Sequence, residues 1–195
     1  MRSMLFVPGD RPERFAKAAA SGADAVILDL EDAVTPARRP AARAEVARWL
    51  ETAERGVPLW VRINPVATDD ALEDLAAVID ARPDGIVLPK ARDGADVHRV
   101  DHWLEGLEAR CGYARGSIGL LPLITESAGA LLKAASFTGL PGRVAGLTWG
   151  AEDLAADVGA SANRSDDGEF ELTFAMARSL CLLAAAVSRK HAARA

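Results

Sequence analysis

Residues 25–50 read AVILDLEDAVTPARRPAARAEVARWL. Ala25–Leu30 is an apolar run interrupted only by Asp29, the pattern of a strand buried on both faces. Thr35 followed by Pro36 then opens a helix that runs through Leu50 to Glu54. A strand that passes directly into a helix is half of a βαβ unit, and a parallel strand must follow it.

Outward from this stretch the same pattern occurs six times. The strands read as Ser3–Val7, Ala25–Leu30, Pro58–Ile63, Gly85–Pro89, Ile118–Ile124 and Val144–Trp149. Between them, Asp10 with Pro12 and Glu13 starts one helix, and Asp69 precedes another over Asp70–Ala81. Further helices span Ala95–Arg110, Ala128–Ala135 behind Ser127, and Glu169–His191. Strict alternation of strand and helix predicts a parallel sheet. The unit is about 28 residues long, so eight would reach ~225, near the ~250 typical of a (β/α)8 barrel. The expected fold class is α/β, a (β/α)8 TIM-barrel type truncated after the sixth βα unit. An open, doubly wound six-stranded sheet is the alternative. No low-complexity linker divides the chain, so residues 1–195 read as a single, incomplete barrel domain.

Composition narrows the function. With 195 residues, 50% apolar and 26% charged, the chain can bury a core. Its formal charge of −5 lacks the basic footprint of a nucleic-acid binder. Cys111 and Cys181 form neither a disulfide framework nor a zinc cluster, which suggests a reducing compartment. The apolar stretch Met4–Val7 is too short for a signal peptide, and uncharged runs reach only about half a membrane span. The expectation is a cytoplasmic protein with no membrane partner. His98, His102 and His191 all fall in helical stretches, so no Ser-His-Asp or Cys-His set assembles at the strand ends. The Walker and G-x-G-x-x-G spacings are absent.

The polar residues cluster at the C-terminal ends of the strands, where a barrel builds its active site. They are Asp29, Glu31 and Asp32, then Arg62 and Asn64, Lys90, Glu126, and the run Gly150-Ala151-Glu152-Asp153. Arg62 reads either as an ion-pair partner of Asp29 or Glu31, or as a clamp on a substrate carboxylate. The two roles are compatible. Glu126 and Asp153 end consecutive strands about 4.8 Å apart, close enough to share a hard divalent cation; helix capping is the other reading of both. Asp29 and Glu31 share a face and suit a role as partners of a cation's water or of Arg62, whereas Asp32 reads as a solvated loop residue. Lys90 is the one lysine of four at a strand end and the candidate for a Schiff base, although an acidic mouth would keep it an ammonium ion.

Six segments carry a resemblance. RSMLFVPGDRPERFAKA (2–18), ADAVILDLEDAVTPARRPAAR (23–43), WVRINP (60–65), GIVLPKA (85–91), PLITESAGAL (122–131) and GLTWGAEDLAADVGA (146–160) follow one another in the order and spacing of the citrate lyase beta-subunit-like family. That family includes malyl-CoA and citramalyl-CoA lyases and related thioesterases. The resemblance implies a barrel and Mg2+-dependent retro-Claisen cleavage of a 3-hydroxyacyl thioester to an acyl thioester and a 2-oxo acid such as oxaloacetate. It implies Glu126 and Asp153 as metal ligands and Arg62 as the group on a substrate oxygen. Asp29 and Glu31 would carry the polar network around Arg62, and Gly150, Ala151 and Glu152 would meet the oxo-acid carboxylate. Pro8, Arg14 and Lys90 resemble positions near the thioester carrier, whether CoA or a carrier protein.

The family normally continues with two further strands and a C-terminal segment. An unfinished barrel therefore leads us to expect self-association, with a trimer as the family's precedent. A thioesterase at the same metal site and a non-catalytic CoA-ester or oxo-acid binding subunit are the alternatives to a lyase. A Lys90 aldolase is the remaining one.

Overall fold

Five of the six expected strands form: β1 (Met4–Pro8), β2 (Ala25–Asp29), β3 (Leu59–Arg62), β4 (Gly85–Leu88) and β5 (Gly119–Pro122). The structure, a computed structural model, describes residues 2–54 and 56–192. The strands lie side by side in chain order, and β1 to β4 pair in parallel. The order never reverses, as a doubly wound sheet would require, and consecutive parallel strands are how a barrel wall is built. Among the described residues the sheet is open.

The helices are α1 (Phe15–Ala19), α2 (Arg39–Thr52), α3 (Asp70–Val78), α4 (Gly94–Cys111), α5 (Ala128–Leu132), α6 (Glu152–Val158) and α7 (Leu172–Ala192). Short 3-10 turns precede α1 and α2 and follow α3 and α5. Ser127 caps α5 as its position suggested, its Oγ accepting the Ala130 N–H at 3.2 Å.

Four expectations need correction. Val144–Trp149 does not form a strand: its ladder is a single parallel bridge of Thr148 to Leu123. The Thr148 N–H donates to Pro122 O and the Ile124 N–H to Thr148 O. Gly146 within it offers no side chain to pack and loses the most backbone entropy. Asp10 does not cap the first helix, because its carboxylate turns to Arg38 at 3.2 Å. The cap position falls to Arg11, with Pro12 fixing the first turn. The helical stretch that Thr35 and Pro36 open ends at Thr52, short of Glu54. Finally α7 begins at Leu172, since Phe170 is held in an antiparallel bridge to Arg164.

The chain divides into two compact units, Met1–Val87 with His102–Leu120, and Leu88–Asp101 with Leu121–Ala195. In the first, β2 is buried along its whole length, as its unbroken apolar run dictates. Leu28, Leu50, Leu59, Ile63, Leu75 and Ile79 are fully enclosed with it. The Phe15 ring packs on Trp49 at 5.2 Å. In the second unit Leu154, Phe174 and Ala177 form a core lined by Leu131, Trp149 and Phe170.

Register also depends on one absence of a side chain. A Cβ on Gly85 would lie 2.3 Å from the Trp60 ring, its ladder partner on β3. Gly85→Ala is expected to destabilise the protein by about 1–3 kcal/mol, read from the urea midpoint. A midpoint equal to wild type would mean that the Trp60 ring moves aside freely.

Burial pushes the Cys181 thiol up to about 11 from an ordinary value of 9.0. The unfolded chain thus loses this proton first as pH rises. Stability is fully present below pH 9.0, declines toward pH 11, and Cys181→Ala is expected to flatten that decline in urea titrations.

Candidate functional site

The ladder sets the first cluster. Pro8 stands opposite Asp29, Asp29 opposite Arg62, and Arg62 opposite Val87, so the ends of four strands share one row. Asp29 and Arg62 are neighbours on the same face and make a bidentate pair, Nε to Oδ1 and Nη2 to Oδ2, both 2.7 Å. The remaining positions on Asp29 are also taken: Oδ1 accepts the Glu31 N–H at 3.0 Å and Oδ2 the Ala33 N–H at 3.1 Å. Arg62 Nη1 lies 3.1 Å from Glu31 Oε2 and 3.7 Å from Asp32 Oδ2. Its Cζ sits 4.8 Å over the Phe6 ring. Asp29 and Glu31 are almost completely buried. Burial alone would lower the Arg62 pKa, but the hydrogen bonds and charge of Asp29, with Glu31 and Asp32, outweigh it and raise the pKa well above the ordinary value.

Beside this cluster lies an open cavity of about 440 Å³ lined by Phe6, Pro8, Asp29, Asp32, Ala33 and Arg62. A second hollow of about 660 Å³ follows β1 and includes Phe6 and Pro8, with Arg14 and Lys17 at its side. Arg14 is exposed, 3.9 Å from the exposed Glu13.

The second cluster centres on Lys90. This residue has φ of 50°, in the left-handed region that non-glycine residues rarely occupy. The turn directs its own N–H to Glu126 Oε2 at 2.5 Å and places Nζ 3.5 Å from Asp153 Oδ2. Glu126 is buried, while Lys90 and Asp153 are partly open. Asp153 lies in the first turn of α6 rather than at its cap. Gly150 packs directly on Glu126: a Cβ there would lie 3.3 Å from Glu126 Cγ and Oε1. The Gly150 N–H donates to Thr125 Oγ1 at 3.1 Å, and the Thr125 hydroxyl faces Gly150 O at 3.4 Å. Ala151 and Glu152 open α6, and Glu152 Oε1 accepts from Asn163 Nδ2 at 2.8 Å.

Thus the structure brings Asp29, Glu31, Asp32 and Arg62 together, and separately Lys90, Glu126, Gly150 and Asp153. Arg62 is an ion-pair partner of both Asp29 and Glu31, and it also lines the cavity. Sequence reasoning did not single out Phe6, which stacks on Arg62, or Thr125 as the lock on Gly150. Parallel register could have found Phe6, because it precedes Pro8 by two residues and shares its face. Among the described residues no group of three or more His, Cys, Asp and Glu side chains is arranged to hold a metal. Two carboxylates remain, the number with which proteins commonly hold Mg2+.

Comparison with known proteins follows the same residues. The model of the HpcH/HpaI aldolase/citrate lyase family matches residues 2–192. A citrate lyase subunit beta-like protein of Mycobacterium tuberculosis is 39% identical over 181 residues, 93% of this chain and 59% of that protein. A (3S)-malyl-CoA thioesterase of Cereibacter sphaeroides is 35% identical over 185 residues, 94% of this chain and 59% of that protein. The chain thus spans 59% of the length of these relatives. The solved structure of a citrate lyase beta subunit complexed with oxaloacetate and magnesium, from M. tuberculosis, superimposes with a TM-score of 0.78 at 38% identity. That match covers 95% of this chain and 74% of the other.

Replacing Arg62 should expose the cost of the acids around it. Arg62→Met leaves Asp29 and Glu31 buried without their cation and is expected to destabilise by about 3–5 kcal/mol in urea unfolding. Asp32→Asn, at a half-exposed site, should change stability by less than about 1 kcal/mol. A larger loss from Asp32→Asn than from Arg62→Met would overturn this ranking.

Proposed function

Because the chain belongs to the HpcH/HpaI aldolase/citrate lyase family, we propose that it takes part in Mg2+-dependent carbon–carbon cleavage of a 3-hydroxyacyl thioester of the citryl, malyl or citramalyl type. The observation that carries this reading is the gathering of two carboxylates on one residue, Lys90, whose main-chain N–H meets Glu126 and whose ammonium meets Asp153. Two hard oxygen ligands with an excess of negative charge fit a divalent cation that completes its shell with water and substrate oxygen. Glu126 and Asp153 would hold Mg2+, which supplies Lewis-acid polarisation of the oxo-acid oxygens when bound.

The chain's own residues do the rest. Arg62 holds a positive charge against the β-oxygen that becomes the keto group, as the hydroxyl proton passes to solvent, from which the enolate carbon is later reprotonated. The bond between the α- and β-carbons then breaks, and its electron pair passes to the thioester as an enolate, which takes up a proton. Asp29 acts through Arg62: with its lone pairs occupied, it orients the guanidinium. Glu31 adds a second carboxylate on the same group. Gly150 lets the loop approach Glu126, and Ala151 and Glu152 bring the amides that open α6 toward the oxo-acid carboxylate. Pro8, Arg14 and Lys90 are assigned to the thioester carrier, for which the hollow along β1 gives apolar wall and positive charge. The relative named a malyl-CoA thioesterase supports a second outcome, hydrolysis of the thioester at the same site.

No helix among the described residues is long and apolar enough to cross a membrane, and the cytoplasm is the compartment we assign. Leu172, Met176 and Leu183 stand exposed on α7 and support self-association, for which a trimer is our reading.

Calorimetric titration of Mg2+ with oxaloacetate present tests the site. Glu126→Ala and Asp153→Ala should each weaken Mg2+ by about tenfold or more. Arg62→Ala should weaken oxaloacetate by about 2–5 kcal/mol and leave Mg2+ affinity unchanged. Unchanged Mg2+ affinity in both acid variants would sink the metal assignment. With malyl-CoA, release of glyoxylate marks the lyase, and release of malate with a free thiol marks the hydrolase.

A further inference from the structure

Beyond Arg62, β3 passes through Ile63 into Asn64, a polar residue with no exposed surface. Its side-chain Nδ2 donates to Asp74 Oδ2 at 2.8 Å and to Leu30 O at 2.9 Å. Its main-chain N–H donates to the same Asp74 Oδ2 at 2.7 Å. Asp74 lies on α3, equally buried, and its Oδ1 accepts from Arg43 Nε of α2 at 2.6 Å. Arg43 is itself held by Asp70 and Glu73. Both neighbours of the Asn64 amide are acceptors, so its orientation is set by the NH2 group, and its Oδ1 has no protein partner.

Leu30 is the residue this arrangement acts on. It lies between Asp29 and Glu31, the two buried acids on Arg62. Its N–H donates to Arg62 O at 2.9 Å, and its C=O is taken by Asn64. The peptide groups on either side of Leu30 are therefore both pinned to the end of β3, one by the carbonyl of Arg62 itself and the other by the side chain of Asn64 two residues on. We propose that Asn64 and Asp74 are positioning residues for Arg62, fixing the Asp29–Glu31 turn against β3 so that the guanidinium keeps its alignment. The inference rests on Arg62 being the group that binds the oxo acid. A bidentate guanidinium tolerates little displacement, and misplacement by about 1 Å is enough to cost a functional site dearly. The burial of Asp74 fits this role. Desolvation raises its pKa despite the hydrogen bonds from Asn64 and Arg43 that lower it, so the carboxylate is held at a cost that an apolar packing residue would not incur.

Three variants test this: Asn64→Ala, Asn64→Ser and Asp74→Asn. Leu104→Ala, in the core of α4, serves as a control that loses stability without touching the relay. All are studied at a temperature where each is fully folded. The first readout needs no ligand: hydrogen exchange of the Arg62 Nε–H by 15N NMR. The relay variants should exchange about tenfold faster than both wild type and the control. The second is calorimetry with Mg2+ and oxaloacetate: oxaloacetate should weaken about tenfold, with Mg2+ affinity held within about twofold. If Asp74→Asn does not fold, the two Asn64 variants decide, since both keep the Arg43–Asp74 pair. Exchange no faster than in the control would overturn the proposal. If wild type fails to bind oxaloacetate, the functional reading of Arg62 falls, and the exchange measurement still decides whether the relay positions it.

Discussion

The buried pair of Asp29 and Arg62 is the constraint on which the surrounding structure depends. A carboxylate and a guanidinium withdrawn from water are tolerable only if each finds nearly all its partners in the protein. Asp29 finds four N–H donors, two from Arg62 and two from the turn that follows its own strand. That count fixes more than a side chain. It requires Asp29 and Arg62 to be direct ladder partners, and so sets the register of β2 on β3. A slip of one residue would turn the guanidinium to the other face and leave the carboxylate stranded. It also fixes the turn through Glu31 and Ala33, so the acids beside Arg62 are a consequence of the same bonds. A pair of this kind contributes little net stability; what it specifies is alignment.

Most of this frame was legible in the sequence because periodicity and end chemistry are local signals. The run Ala25–Leu30 could only be a strand covered on both sides, and the alternation that follows it leads to a parallel sheet in chain order. The polar residues at strand ends marked a candidate site, and an ion pair of Arg62 with Asp29 or Glu31 was one of the two readings that the sequence left open. Capping at Asp10 was read wrongly, because a carboxylate placed to cap a helix was drawn instead to Arg38, 28 residues away. The sixth strand failed because β-propensity in Val144–Trp149 was judged without the cost of Gly146, and only the Thr148–Leu123 bridge forms. Nor could spacing show that Asn64, a turn residue by type, would be enclosed by α3 and Leu30. That depends on the way helix α3 returns over the sheet, a tertiary fact.

Lys90 shows how a backbone conformation can matter more than a side chain. Its strand position suggested an amine with a chemistry of its own. In the structure its left-handed turn sends the main-chain N–H to Glu126 while the ammonium goes to Asp153. A non-glycine residue in that region carries strain of the order of 1–3 kcal/mol, which the surrounding contacts must hold in place. An ammonium ion committed to a carboxylate is a poor nucleophile, so the same geometry that gathers the acids argues against an imine at Lys90.

The three buried acids of the two clusters carry the same functional group and are prepared for different work. Asp29 has no unoccupied position and can only hold its partner. Glu31 meets the guanidinium on its other edge. Glu126 has one oxygen on an amide and the other against the bare Cα of Gly150, a contact that any larger residue would close. A carboxylate engaged by four donors is a fixed negative charge, and at Glu126 it is the bare Cα of Gly150 that leaves room beside the carboxylate. The orienting role of Asp29 therefore follows from counting the donors around its two oxygens, without reference to the reaction it serves.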